Sequence, residues 1–508
     1  MTNTIYDFIF FTDLTDTIYV TKTIGPFKCA HVLRSAGYSC LVIDHLHAFN
    51  YNELTTLIDK VVSDKTVAIG FSTTFYRNSN VAPNPDGSVT YTEFLGDSLF
   101  PQGKEFEMSI LDHIKQITPN CKVMVGGANI RGQYQNRSVD YAFVGFSEGT
   151  MLNLANHLTK GEQLKSAVKN IWGVTVLDDR TASTHDFKNS NFAWLPTDVV
   201  NAKSLPIEIA RGCIFKCKFC SYPMNGKQNL DFVKSIELLR QELQDTYNRY
   251  GVTTYSIVDD TFNDNDYKLD LILEAVKQLT FQPKFWSYTR IDLLHTKKQI
   301  DKLFKIGVRG FYFGIETMHQ ESSRLIGKGY APEKQVAAMK DLRDRYGNEI
   351  TMHGSFMIGL PKDSIANVTD TFEKLMDQRI PLHSFDFKAL FLDRVENVNW
   401  ASELSKNFKN YGYEDHGTVF NKYVNWKNDY TSFEEAWELE TKFRKIFQNS
   451  ANYHIPGQPV WSLVNYGYPL EYLTNLLHKD IPWSDLAHHK IKYLADYKQQ
   501  LNDIIDNQ

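Results

Sequence analysis

Twice along the chain, short runs of β-branched and aromatic residues alternate with amphipathic stretches, and this alternation restricts the fold more than any other feature. In the first array the runs YDFIFF, SCLVIDHL, VAIGFSTTF, KVMVGG and DYAFVGF are separated by FKCAHVLRSAG, NELTTLIDKVV and EFEMSILDHIKQI, whose apolar residues recur at helical spacing. In the second, LPIEIARG, TYSIVDDTF, KFWSYTR, GFYFGIE, MHGSFMIGLP and HSFDFKALFL alternate with helical stretches such as DFVKSIELLRQELQDTY and PEKQVAAMKDLRDRY. Strands joined through helices run parallel, because only a parallel pair needs so long a crossover. The expected fold class is therefore α/β. A doubly wound sheet occupies residues 1–161, a linker with a few irregular strands 162–203, and a partial or full parallel barrel of six β/α units 204–395. A small helical region rich in Trp, Tyr, Lys and Glu fills 396–508. Residues 76–103, polar and turn-rich, read as a surface insertion beside the third strand.

A chain of 508 residues with 42% apolar and 23% charged residues and 16 prolines can build several cores and leaves no long disordered tail. The net charge of −5 gives no electrostatic argument for a nucleic-acid or membrane-surface partner, which directs attention to a small-molecule or peptide substrate. MTNTIYDFIFFTDLTD has only a few consecutive apolar residues, no basic run, and acid after them, so it reads as a first strand rather than a signal or membrane span. A cytoplasmic location is expected. There thiols stay reduced, and clustered cysteines bind metal more often than they pair.

Three of the chain's six cysteines, Cys213, Cys217 and Cys220, crowd into ARGCIFKCKFCSYP directly after the first strand of the second array. Gly212 frees the backbone there, and Lys216 and Lys218 supply charge that favours thiolates. Three thiolates in one loop can hold three corners of an iron-sulfur cube, leaving the fourth iron open, since no histidine occurs between His185 and His295. Two other readings stay open. A structural zinc would need a fourth ligand, for which Cys29, Cys40 or Cys121 could serve, and the cluster could also be metal-free.

CIFKCKFC, with the aromatic Phe219 before its last cysteine, resembles the Cys-x3-Cys-x2-Cys loop of the radical S-adenosylmethionine (SAM) enzymes. The resemblance implies a radical SAM barrel in which Cys213, Cys217 and Cys220 bind a 4Fe-4S cluster and SAM chelates the open iron. An external electron donor such as flavodoxin or ferredoxin would then drive cleavage of SAM to a 5'-deoxyadenosyl radical. It further implies SAM contacts from Glu316 in GFYFGIETMHQESSRLIGKGY, from the backbone around Met357 and Ile358 in MHGSFMIGLP, and from Arg290 in WSYTRID. Asp260 in IVDDTFND stands where many relatives carry Gly-Gly-Glu. Each has a plainer reading. Glu316 can pair with a lysine or cap a helix, Arg290 can sit in an ion pair, and Asp259 and Asp260 can cap the next helix.

The first array resembles the cobalamin-binding, Rossmann-like domain that precedes the barrel in one radical SAM subclass, through TIGPFKCAHVLRSAGYSCLVIDHL, AIGFSTTF, CKVMVGGANIRG and VDYAFVGFSEGTMLNLANHL. That implies cobalamin held near Ser72, Gly126, Gly127 and Glu148. Asp-x-His-x-x-Gly is absent, and the family's Gly-Glu-Gly-Glu element is reduced to GFSEG, so His45 and His47 read as loop or core residues. The expected activity is that of a radical SAM enzyme, with methyl transfer to unactivated carbon or phosphorus if cobalamin binds. The alternatives are a cobalamin-independent cyclisation or rearrangement and a non-catalytic iron-sulfur redox or sensor protein.

Overall fold

The structure is a computed structural model that describes residues 5–13, 20–72, 110–127, 139–165, 167–171, 174–179, 185–222, 233–296, 298–329, 331–395, 401–420, 423–448, 461–468 and 483–507. The expected insertion at 76–103 lies outside them. The chain divides into two compact units. One comprises residues 1–186, 190–201 and 488–508, and the other 187–189 and 202–487.

The N-terminal unit is built on β1 (Phe8–Phe11), β2 (Cys40–Ile43), β3 (Ala68–Ser72), β4 (Lys122–Gly126), β5 (Tyr141–Val144), β6 (Ala167–Ile171) and β7 (Val174–Asp178). They form one seven-stranded sheet in the order β2-β1-β3-β4-β5-β7-β6, all parallel except β6, which runs against β7. The order reverses between β1 and β3, which is the topological switch point where doubly wound sheets bind ligands at their carboxyl edge. Wholly buried runs such as FIFF and CLVI are what a strand covered on both faces requires. The expected linker from 162 thus contributes two strands to this sheet. Strands as short as AVKNI, at the sheet edge, and its neighbour VTVLD carry little hydrophobic pattern to announce them.

The last segment also departs from expectation. Residues 488–508, within the helix Trp483–Asp506, belong to the N-terminal unit rather than to one C-terminal helical region. Tyr493, Leu494, Tyr497 and Leu501 lie on one face of that helix and are buried. The Tyr497 hydroxyl accepts the Asp44 N–H at 2.7 Å.

The second unit carries β8 (Ser204–Ile207), β9 (Thr254–Ile257), β10 (Lys284–Thr289), β11 (Val308–Glu316), β12 (Thr351–Ile358) and β13 (Ser384–Ala389). All six are parallel and lie in sequence order, as consecutive β/α units demand. Alternate residues face the helices. Phe356 stacks on Phe387 at 4.9 Å between ring centres, and Phe372 of the helix Ile365–Met376 stacks on Phe443 of the helix Phe433–Gln448 at 3.9 Å. The intervening residues, among them Tyr312, Ser355, Asp386 and Lys388, turn to the opposite, inner face. Beyond the sheet, β14 (Glu414–Val419) and β15 (Tyr423–Lys427) form an antiparallel hairpin inside the region expected to be helical.

Candidate active site

β8 ends at Ile207, and the chain then turns over the carboxyl edge of the sheet. The N–H groups of Ile209 and Ala210 both donate to Asp259 Oδ1, at 2.8 and 2.9 Å. Burial pushes the Asp259 carboxyl up to about 6, against the pull of Lys268 and those two N–H donors. Asp259 therefore pins the strand to its neighbour. Gly212 follows at φ +73°, and the cysteine loop begins.

Cys213 is buried, with its sulfur 3.2 Å from Thr261 Oγ1 just beyond β9. Cys217 and Cys220 are half-buried, and the Cys220 N–H donates to the Cys217 carbonyl at 3.1 Å. A second segment supports the loop from beneath, where the Lys218 N–H donates to the Ile326 carbonyl at 2.9 Å. Gly327 comes next at φ +82°, and a Cβ built there would lie 3.4 Å from the Lys216 carbonyl oxygen and 3.6 Å from Cys217 Cα. The positive φ favours glycine there, and the contact itself leaves room for no more than a Cβ.

Arg290, just past β10, is buried and brings its Nη1 to 3.6 Å from Cys217 Sγ. Asp292 takes the guanidinium's other edge bidentately at 2.9 Å, and Phe215 stacks beneath it at 3.8 Å from the ring centre. The ion-pair reading of Arg290 thus holds, but the pair is buried and aimed at a cluster cysteine. Its remaining positive edge faces that sulfur.

Glu316 ends β11 at φ +70°, a left-handed conformation that costs a residue with a side chain roughly 1–2 kcal/mol. Its buried carboxyl is pushed up by burial and drawn down by Lys328, whose Nζ lies 3.4 Å from Oε1. Lys328 also donates to the Gly314 carbonyl at 2.7 Å and stands 5.7 Å from the Phe219 ring centre. It links the glutamate to the cysteine loop. Sequence reasoning missed Lys328, although GKGY follows the Glu316 element directly.

Asp260, half-buried, sits between Asp259 and Thr261, and its carbonyl accepts the Thr261 hydroxyl at 2.8 Å. Neither aspartate caps the next helix. That position is taken by Asn265, which accepts the Lys268 N–H at 3.2 Å. Met357 faces inward, whereas the Ile358 side chain is wholly buried on the helix side and its carbonyl accepts the Leu390 N–H at 2.9 Å. Cys213, Cys217, Phe219, Arg290 and Glu316 are brought together at the sheet's carboxyl edge; the Ile358 side chain is not.

This donor set fits an iron-sulfur cube. A cube takes one thiolate on each of three irons, so the sulfurs need not converge on a point. Among the described residues no group of three or more His, Cys, Asp or Glu converges as a single ion would require. Arg290 and Lys328 supply cations beside what would be an anionic cluster.

The sequence pattern of the radical SAM superfamily matches residues 207–375. Residues 207–375 form a radical SAM domain. An uncharacterized methyltransferase of Pyrococcus horikoshii is 27% identical over 289 residues, 52% of this chain and 60% of that one. The bacteriochlorophyllide d C-8(2)-methyltransferase of Chlorobaculum tepidum is 24% identical over 184 residues, 34% and 39% of the two chains. The chain therefore spans less than two thirds of either relative. Among solved structures, the radical SAM methyltransferase TsrM from Kitasatospora setae, with cobalamin and a 4Fe-4S cluster bound, superposes with a TM-score of 0.63 at 13% identity. That match covers 97% of this chain and 100% of that one. The cobalamin-dependent radical SAM enzyme OxsB, with aqua-cobalamin and SAM bound, superposes at 0.54 and 15% identity over 80% and 56%. The Rossmann-like sheet ahead of the radical SAM sheet is thus a fold shared with TsrM and OxsB.

In the N-terminal unit, Ser72 and Gly126 end the adjacent strands β3 and β4 as register partners. Gly127 follows at φ +117°, and the rest of VGGANIRG lies outside the described residues. A Cβ at Gly126 would meet only Phe143, at 3.6 Å, so glycine keeps the strand end low. Glu148, buried, opens the helix Glu148–Lys160 after β5. Three neighbouring strand ends beside a switch point, two of them without bulk, fit a large flat cofactor. His45 is fully buried against Tyr497 and Tyr493, with ring centres at 5.0 and 5.8 Å, and burial holds it well below the usual histidine range. His47 Nδ1 lies 2.6 Å from Asp13 Oδ1. Both are core residues of this unit.

Proposed function

We propose that the protein is a cobalamin-dependent radical SAM methyltransferase acting on a small molecule or peptide. The observation that carries this reading is the Cys213–Cys220 loop at the end of β8, with Arg290 on Cys217, in a chain whose fold matches TsrM over nearly its whole length. When bound, the cluster, SAM and cobalamin supply electron transfer and the methyl group.

The chain's own residues hold and shield them. Cys213, Cys217 and Cys220 ligate the cluster. Arg290 and Lys328 balance its charge, and Glu316 stands as an acceptor for an ammonium or hydroxyl group of SAM. Met357 and the backbone at Ile358 line the adenine, Phe219 walls the loop, and Asp260 bounds the second strand end. Ser72, Gly126, Gly127 and Glu148 form the floor for cobalamin. An external one-electron donor completes the system.

The test is anaerobic reconstitution of the full chain with iron, sulfide and hydroxocobalamin, followed by SAM and a low-potential reductant. Bound iron near four equivalents, bound corrinoid and SAM turnover are expected, each lost in Cys217→Ala except the corrinoid. Iron and SAM turnover without corrinoid would move the assignment to a cobalamin-independent radical reaction. One zinc and no iron would overturn it.

A further inference from the structure

Two polar atoms on the inner face of the radical SAM sheet have no partner among the described residues. They are Asp386 Oδ1 on β13 and His353 Nε2 on β12, both buried. They belong to one arrangement. Tyr312 and His353 are register partners, as are Gly314 and Ser355, and Ser355 and Asp386. His353 Nδ1 is 2.9 Å from Ser384 Oγ, which leaves Nε2 facing Asp386 Oδ2 at 3.8 Å, too far for a hydrogen bond. The His353 ring is 3% exposed, whereas the Asp386 side chain keeps 29% of its accessible area, so the side chain borders open space while its unpartnered Oδ1 lies just beneath, backed by the imidazole.

Along the same face runs a chain of rings. Trp286 meets Tyr288 at 4.9 Å, Tyr288 meets Tyr312 at 4.9 Å, and Tyr312 meets His353 at 4.8 Å between ring centres. Burial and the charge of Asp386 push the Tyr312 phenol upward, so it stays neutral. Burial also pushes Asp386 upward, but His353, Lys388 and Ser355 outweigh it and hold the carboxyl below the usual range. Lys388 does not fill the vacant position. Its Nζ points to Glu440 at 3.4 Å, and its side chain is 53% exposed. The other inward carboxylate, Glu316, already has Lys328. An ionised carboxylate with an unpartnered oxygen, at the end of a wall of π-faces, is how proteins bind an ammonium group.

We propose that Asp386, backed by His353, anchors a protonated amine of the substrate, and that Tyr288 and Tyr312 form the wall it lies against. This rests on the functional reading above and adds the substrate's chemical class.

The probes are phenethylammonium and its neutral counterpart 2-phenylethanol, titrated into the full chain and followed by ligand-observed NMR. At least tenfold tighter binding of the ammonium is expected. Asp386→Asn should remove that preference while keeping the wild-type melting temperature within a few degrees. Lys388→Ala should strengthen it, because a competing cation beside the carboxylate is gone, and a merely structural role for Lys388 would not produce that gain. Equal binding of the two probes to the wild-type protein, or a preference that survives Asp386→Asn, overturns the proposal. Iron content and SAM turnover are read on the same wild-type sample. A protein with cluster and turnover but no ammonium preference defeats this inference alone. One with the preference but no cluster defeats only the functional reading.

Discussion

Arg290 Nη1 lies 3.6 Å from Cys217 Sγ while Asp292 grips the opposite edge of the same guanidinium at 2.9 Å. The arginine is thus fixed by one partner and offered to the other. With Arg290→Gln, the cluster should still assemble on its three cysteines but lose a cation at contact range. An uncompensated anionic cluster is harder to reduce, so its potential should fall. A redox titration followed by electron paramagnetic resonance checks this, and an unchanged potential would show that the guanidinium does not sense the cluster.

Gly327 and Gly329 allow a cleaner separation of backbone strain from loop support. Both have positive φ, +82° and +69°, but a Cβ at Gly327 would rest in ordinary contact with Lys216 and Cys217, whereas one at Gly329 meets nothing within 4 Å. Each alanine variant should cost roughly 1–2 kcal/mol of strain. Only Gly327→Ala should also lower the iron bound after reconstitution, because the backbone that must relax the strained dihedral is the one that touches the cysteine loop and holds Lys218 through Ile326. Comparable iron in the two variants would refute this support role.

The local parts of the site could be read from the sequence, and the reason is physical. Three cysteines within eight residues, a strand before them and a Gly-Ile-Glu strand end are contiguous features, as was the alternation that orders β8 to β13. What the sequence hid are contacts between distant segments. Gly327 under Cys217, Lys328 between Glu316 and Phe219, and Asp259 on the N–H groups of Ile209 and Ala210 each join residues with no shared pattern. Asp386 went unnoticed for the same cause, since its neighbour His353 is 33 positions away. The placement of residues 488–508 depends on which buried surface their apolar stripe meets, and periodicity alone shows only that the stripe exists.

Asp259 makes stability depend on pH in a definite direction. Its carboxyl is raised from 3.8 to about 6 in the folded chain, so the native state binds its proton more tightly than the unfolded one. Its contribution is complete below the unfolded value and is lost as pH rises through about 6, a difference of about 3 kcal/mol. Asp259→Asn retains an oxygen for the two N–H donors and cannot ionise. Its melting temperature relative to wild type should therefore rise between pH 4 and pH 7. A difference that stays flat over that range would contradict the raised carboxyl.

Tyr497 and Lys498 adjoin each other on the last helix but should differ sharply in weight. The Tyr497 hydroxyl, fully buried, accepts the Asp44 N–H, while Lys498 meets Glu53 at the surface, with Nζ 2.9 Å from Oε1. Tyr497→Phe keeps the ring and leaves a buried N–H unpaired, which costs about 1–3 kcal/mol. Lys498→Ala removes an exposed ion pair worth at most about 1 kcal/mol. Hydrogen exchange in residues 488–507 should accelerate markedly in Tyr497→Phe and little in Lys498→Ala. The reverse order would mean that surface charge, rather than the buried hydroxyl, holds this segment to the N-terminal unit.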